Sequence, residues 1–299
     1  MVNLFIGLVL VLIMFSVGLT LTVDKFKTVL KHPRAFILGL SLQMIALPVL
    51  AFVFCVFSNI SPEWKAGLFI LSLCPGGTTS NFISYLLKGN TELSVAMTSV
   101  NGLLTLFTIP LLGNFVLHYF LGNSVGVELA YGKTVLKLLL VTTLPVLIGL
   151  LVKSNYPKIT KLLNAHFTVK FKANTINVAY LKLVTLTLLG IMFTIKLFAS
   201  ENAGGTNLSQ QDLFDLLPIV LLFNLTGLGF GYLLPKLLQL TKNTSMTIGI
   251  EVGLQNTSLA FLVIGGLLQN TTMQQPALVY ALFSFWTAVL FGMIVKAKK

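Results

Sequence analysis

Charge is what this 299-residue chain has least of: charged residues are 9% of it, where a soluble domain carries roughly 25%. Hydrophobic residues make up 56% and the mean hydropathy is +0.92. That shortage of charge excludes an ordinary water-soluble domain and leaves a polytopic membrane protein. Cysteine is scarce as well. Cys55 and Cys74 are the only two and both lie in apolar segments, which excludes a disulfide framework or a thiolate metal cluster; each reads as a small buried hydrophobe. His32, His118 and His166 lie near segment ends without metal-ligating companions. No cleavable signal peptide is expected, because Met1 leads straight into a segment long enough to span.

What the chain does have is a series of long apolar runs. A spanning helix needs about 20 apolar residues. Nine are predicted, near Val2–Val23, Pro33–Phe57, Trp64–Leu87, Glu92–Leu121, Thr134–Val152, Ile176–Phe198, Leu213–Leu238, Thr244–Leu268 and Gln275–Val295. The stretch from Tyr156 to Lys172 carries Lys158, Lys161, Lys170 and Lys172 and reads as an interfacial linker, with an amphipathic helix as one form it could take.

The net charge of +12 is distributed by side. Lys25, Lys27, Lys31, Arg34, Lys88, Lys153 through Lys172, Lys236, Lys242, Lys296, Lys298 and Lys299 fall on one side, against Lys65, Lys133 and Lys137 on the other. The positive-inside rule makes the first side cytoplasmic, with the N-terminus outside and the C-terminus inside. The basic excess is thus a topology signal and calls for no nucleic-acid partner. The expected location is a multi-pass span of a bacterial inner (plasma) membrane.

Of the eight acidic residues, seven lie in or beside the expected loops. Glu251 does not: it sits deep in the eighth run, within GIEVGLQNTSLA. A charge at the bilayer centre costs about 2.5–3.5 kcal/mol on insertion scales, so such a residue marks a functional site unless a neighbouring helix merely holds it protonated. Gln255, Asn256, Thr257 and Ser258 follow at once, which favours function.

Two spans carry interruptions. CPGGTTSN, from Cys74 to Asn81, puts a helix stop and a set of helix-start residues inside the third run. Val252-Gly253-Leu254 interrupts the eighth. The two breaks occupy matching places, and the two spans run in opposite senses. That is the pattern of an inverted repeat, in which paired broken segments mark a transporter's binding site. Unwound backbone survives at membrane depth only where it lines a cavity or is buried in protein. Its carbonyls suit a hard cation, and the helix start near Thr79 suits an anion. Ser80 and Asn81 add side-chain oxygens and Glu251 the fixed negative charge. The arrangement describes a cation-coupled carrier of an organic anion.

At these residues the chain resembles the bile acid:sodium symporter family. CPGGTTSN, LSVAMTS at Leu93–Ser99 and EVGLQNTSLA carry the resemblance, with GLTL at Gly18–Leu21 and KHP at Lys31–Pro33 in the same order. It covers essentially the whole chain and fits the nine-helix type. The resemblance implies an all-α fold in two parts: a panel of 1–32 and 134–198, and a discontinuous core of 33–121 and 213–299 with two crossing broken helices. Residues 153–175 would form a cytoplasmic linker. It also implies two sodium sites. The first would use Ser80, Asn81, Ser94, Thr98 and the Glu251 carboxylate; the second would use the Gln43 and Gln255 side chains with the carbonyls of Glu251, Val252 and Leu254. Ser94 and Thr98, four apart, share a helix face independently of the resemblance. Thr78, Thr79 and Asn256 are the candidate substrate contacts. Family substrates range from bile acids and steroid conjugates to small carboxylates such as pantoate, and no residue chooses among them. In FSFWTAVLFG this chain has Thr287 and Ala288 where some members carry further polar residues.

Rival readings are a sodium/proton antiporter using Glu251, an intramembrane enzyme and a channel. An enzyme would need a nucleophile or a second buried carboxylate, and neither stands near Cys74 or Glu251 in sequence.

Overall fold

The computed structural model describes residues 2–20, 33–122, 128–163, 166–171, 174–200 and 204–297. Apart from one two-stranded hairpin, the described chain is helical. Helix α1 spans Val2–Thr20 and α2 spans Pro33–Phe57. The third run is split into α3, Pro62–Leu73, and α4, Thr78–Leu86. Then come α5, Thr91–Leu121, α6, Tyr131–Asn155, and the short α7, Pro157–Leu163. The strands β1, His166–Phe171, and β2, Asn174–Ala179, pair antiparallel with His166 opposite Ala179. Helix α8 spans Tyr180–Phe198 and α9 spans Gln210–Leu237. The eighth run is split into α10, Lys242–Gly253, and α11, Thr257–Gly266, and α12 closes the chain at Gln275–Ala297.

Among the described residues, six helical stretches are long and apolar enough to cross a membrane: Pro33–Phe57, Thr91–Leu121, Tyr131–Asn155, Gln210–Leu237, Lys242–Gly266 and Thr272–Ala297. Leu4–Leu19 and Leu183–Phe198 are shorter apolar helices. The protein is an integral, multi-pass membrane protein. The most interior of these six is a broken one: 94% of the apolar window of Lys242–Gly266 is buried inside the protein, against 22% for Tyr131–Asn155. A stretch carrying Glu251 and Gln255 has to be shielded from lipid in this way.

Local chemistry explains the boundaries. Ser61 caps α3 by accepting the Trp64 amide, with Pro62 in the first turn. Cys74 is extended (φ −72°, ψ 140°) because it precedes Pro75, and the helix ends there. Wide π turns at Leu42–Ala46 and Leu139–Thr143 each stand just ahead of a Leu-Pro pair, at Pro48 and Pro145. Proline lacks the amide that would close the ladder, and widening the preceding turn relieves its ring against the carbonyl four residues back.

Two expectations are corrected. The linker is not one amphipathic helix: after α7 it forms the hairpin, and Ile176–Ala179, assigned to the sixth span, lies in β2. HFTVKF and NTINVA mix β-branched and aromatic residues with polar ones in near alternation, a strand pattern. The second break lies at Leu254–Asn256, with Val252 and Gly253 still helical. Lys196, on α8, is 2% exposed, its ammonium 5.8 Å from the Phe261 ring centre. Leu21 of the GLTL motif, Lys31 and His32 of KHP, Lys25 and Lys27, the first span's end at Val23, and the tail Lys298 and Lys299 lie outside the described residues.

Packing groups the helices. Helix α1 runs along the second half of α6 and touches α8. Its closest approach is at Gly18 and Gly149, where a Cβ on either glycine would stand 3.0 Å from the other's Cα; small residues at such a crossing let backbones meet in a bilayer. Helices α9 and α10 pack extensively on each other, and α3 packs between α2 and α5.

Candidate functional site

The two unwound stretches meet. The Asn256 amide donates to the Pro75 carbonyl at 2.8 Å, a main-chain bond that ties one break to the other. Two helices end here, α3 and α10, and two begin, α4 and α11. Carbonyl ends and amide ends of half-helices are therefore brought to one place, the first favourable to cations and the second to anions.

Around Glu251 the structure gathers side chains from three elements. Ser94 Oγ, on α5, contacts Glu251 Oε1 and lies 2.7 Å from Asn81 Oδ1 of α4. Thr98 Oγ1, one turn on, is 2.9 Å from Glu251 Oε2 and 3.4 Å from Asn81 Oδ1. Ser94, Thr98 and Glu251 are all buried. Counting atoms is instructive. Two carboxylate oxygens, one amide oxygen and two hydroxyl oxygens crowd together, and only the two hydroxyls bring protons. Such a set has more lone pairs than donors, which is the composition of a site for a hard cation. Ser80, the remaining member of this expected set, bonds to Gly77: its hydroxyl donates to the Gly77 carbonyl at 2.8 Å and accepts the Gly77 amide at 3.1 Å. It still borders the cluster. A Cβ on Gly76 would stand 3.0 Å from Ser80 Oγ and collide with Glu251 Oε2, so the close approach of backbone to carboxylate needs glycine.

The second expected set is also together. Gln43 lies in the π turn of α2 and is 2% exposed. Its Nε2 donates to the Cys74 carbonyl at 3.1 Å and to Gln255 Oε1 at 2.8 Å, linking both breaks. Gln255 Nε2 donates to the Val252 carbonyl at 2.8 Å. That carbonyl is therefore bonded within the protein. Leu254 is buried in the unwound stretch (φ −121°, ψ 112°). Gln43 Oε1 is buried without a partner among the described residues.

Thr78, Thr79 and Asn256 line one cleft, with Ile13 of α1, Leu189 of α8 and Ser258 of α11. It holds about 350 Å³ of empty space, including its open mouth. Asn256 Oδ1 caps α11 by accepting the Leu259 amide at 3.1 Å. A larger, mainly apolar cavity lies beside it, between α1, α5 and α6, and reaches Thr98.

Sequence reading missed a supporting network. Asn224 Nδ2, on α9, donates to the Gly253 carbonyl at 2.7 Å and lies 3.2 Å from the Tyr280 hydroxyl. Tyr280 donates to the same carbonyl. Thr287 Oγ1 lies 2.6 Å from Asn224 Oδ1 and 2.9 Å from the Ser284 carbonyl. The Gly253 carbonyl freed by the break is satisfied from α9 and α12, and Thr287 serves this network. The lone asparagine in LLFNLTGLG was the available signal.

Among the described residues no group of three His, Cys, Asp or Glu side chains converges.

Residues 7–204 match the Sodium Bile acid symporter family. A sodium-dependent transporter of Bacillus subtilis, YocS, is 31% identical over 94% of this chain and 79% of its own length. A probable chloroplastic sodium/metabolite cotransporter of Oryza sativa is 28% identical over 89% of this chain, which spans 58% of that protein. The human ileal sodium/bile acid cotransporter is 26% identical over 98% of this chain and 79% of its own length.

Proposed function

The chain belongs to the Sodium Bile acid symporter family, a family of sodium-dependent transporters and not of enzymes, and from that premise we propose that it is a symporter importing an organic anion by alternating access. The observation that carries the reading is the oxygen cluster of Glu251, Asn81, Ser94 and Thr98, rich in lone pairs and short of protons, at a junction where two spans unwind.

In this reading sodium binds two sites. Ser80, Asn81, Ser94, Thr98 and Glu251 hold the first; Gln43, Gln255 and the carbonyls of Glu251, Val252 and Leu254 hold the second. Sodium draws the two breaks into one geometry, and the ordered amide ends of α4 and α11 then receive the anion through Thr78, Thr79 and Asn256. The anion is a bile acid, a steroid conjugate or a small carboxylate such as pantoate. The cavity reaching Thr98 has a mainly apolar lining, which suits the hydrocarbon part of an amphipathic anion.

The architecture proposed with it has nine spans in an inverted repeat, the N-terminus outside and the C-terminus in the cytoplasm of a bacterial inner membrane. The panel comprises 1–32 and 134–198 and the core 33–121 and 213–299, with 153–175 as a cytoplasmic linker. The extensive packing of α1 along α6 supports that division.

The test is uptake of a panel of labelled anions into proteoliposomes with and without an inward sodium gradient. At least one anion is expected to accumulate only with the gradient. Sodium-driven proton efflux without anion uptake would instead establish the antiporter.

A further inference from the structure

Lys196 stands in the last turn of α8. A lysine near the end of a spanning helix ordinarily carries its ammonium along that end to water. This one is buried, because the chain beyond α8 turns back over the helix end. The Thr206 amide and hydroxyl donate to the Lys196 carbonyl at 3.0 and 3.1 Å, and Gln275 Nε2 donates to the Thr206 carbonyl at 3.1 Å.

The ammonium instead lies inward, over the Phe261 ring of α11. A ring face offsets only part of the cost of burying a cation. Among the described residues no carboxylate and no hydrogen-bond acceptor meets it. Lys137 shows the contrast. Its ammonium donates to the Gly266 carbonyl at 3.0 Å, at the end of α11 that favours a cation. Lys196 is a buried positive charge without a counter-charge, and such a group at membrane depth marks a functional site.

Position gives this charge a use. Leu189, two turns earlier on the same face of α8, lines the cleft of Thr78, Thr79 and Asn256. Between them Phe193 meets Phe261, ring centres 5.8 Å apart. Phe261 in turn stands one turn of α11 beyond Thr257, which lines the same cleft. Long side chains lean toward the N-terminus of their helix, which for Lys196 is toward the cleft. The ammonium therefore lies about one helical turn, or 6 Å, beyond the cleft wall.

Resting on the symport reading above, we propose that Lys196 is a specificity-determining residue for the anion: the carboxylate of the transported molecule pairs with its ammonium on the way between the outer side and the amide ends of α4 and α11. An ammonium meets a carboxylate as a compact charge with three donors. The pairing selects anionic over neutral amphiphiles, and it uses none of the residues assigned to sodium.

The experiment is sodium-driven uptake of labelled cholate and labelled pantoate by proteoliposomes of the full chain, for wild type, K196M and K196R, with thermal melting in sodium chloride. Methionine keeps much of the apolar stem and removes the charge. For K196M the anion concentration at half-maximal uptake is expected to rise about tenfold or more. Its sodium dependence and melting should stay as in the wild type, and K196R should restore most of the anion affinity. A wild-type half-saturating concentration in K196M, or a lower maximal rate alone, would overturn the proposal. Should K196M fail to melt cooperatively, K196Q decides by the same criterion. If the wild type accumulates no anion under a sodium gradient, the symport reading falls and this proposal with it.

Discussion

Glu251 has no exposed surface, and the hydroxyls of Ser94 and Thr98 lie against its two oxygens. Removing its charge while keeping its shape, Glu251→Gln, is expected to weaken sodium binding on the order of 100-fold, since bonds to an ionised group are worth about 1.5–3 kcal/mol. Loss of sodium-dependent stabilisation in a melting assay checks this; an antiporter would lose pH-dependent exchange instead. Gly76→Ala forces a methyl group against the same carboxylate and is expected to cost about 1–3 kcal/mol of stability, read as a lower Tm together with weaker sodium binding. At this scale the sequence was generous: a lone acid in an apolar run, followed by a burst of polar residues, is visible without coordinates.

The breaks are elements in their own right, and each needs its freed carbonyls answered. For Gly253 the answer comes from Asn224 and Tyr280 on α9 and α12. Tyr280→Phe leaves one donor and Asn224→Leu the other; each is expected to destabilise by about 1–3 kcal/mol. The double variant should cost more than the sum, because only then is the carbonyl orphaned. Additive losses in a melting series would sink that account. The first break could be read from Pro75 alone, since proline ends a helix by covalent geometry. The second has no proline, and its place was misjudged: glycine at 253 remains helical, and the capping side chain of Asn256 sets where α11 begins. The hairpin was lost for a similar reason. Four lysines drew attention to charge, while the alternation in HFTVKF and NTINVA carried the structure.

On the scale of the whole molecule, coupling two sodium ions to one monovalent anion would carry net positive charge inward. Each elementary charge gains about 2.3 kcal/mol per 100 mV of membrane potential. Uptake is therefore expected to rise when the interior of the vesicle is made negative with a potassium diffusion potential, and a rate indifferent to that potential would point to one sodium per anion. The main-chain bond from Asn256 to Pro75 has a longer reach. A clasp of amide and carbonyl belongs to no side chain, so it survives every substitution at position 256 except one to proline. The cleft's lining can thus be rewritten while the joint between the two breaks stays fastened. In a lineage of such carriers, cargo would drift readily and dependence on the ion would change slowly.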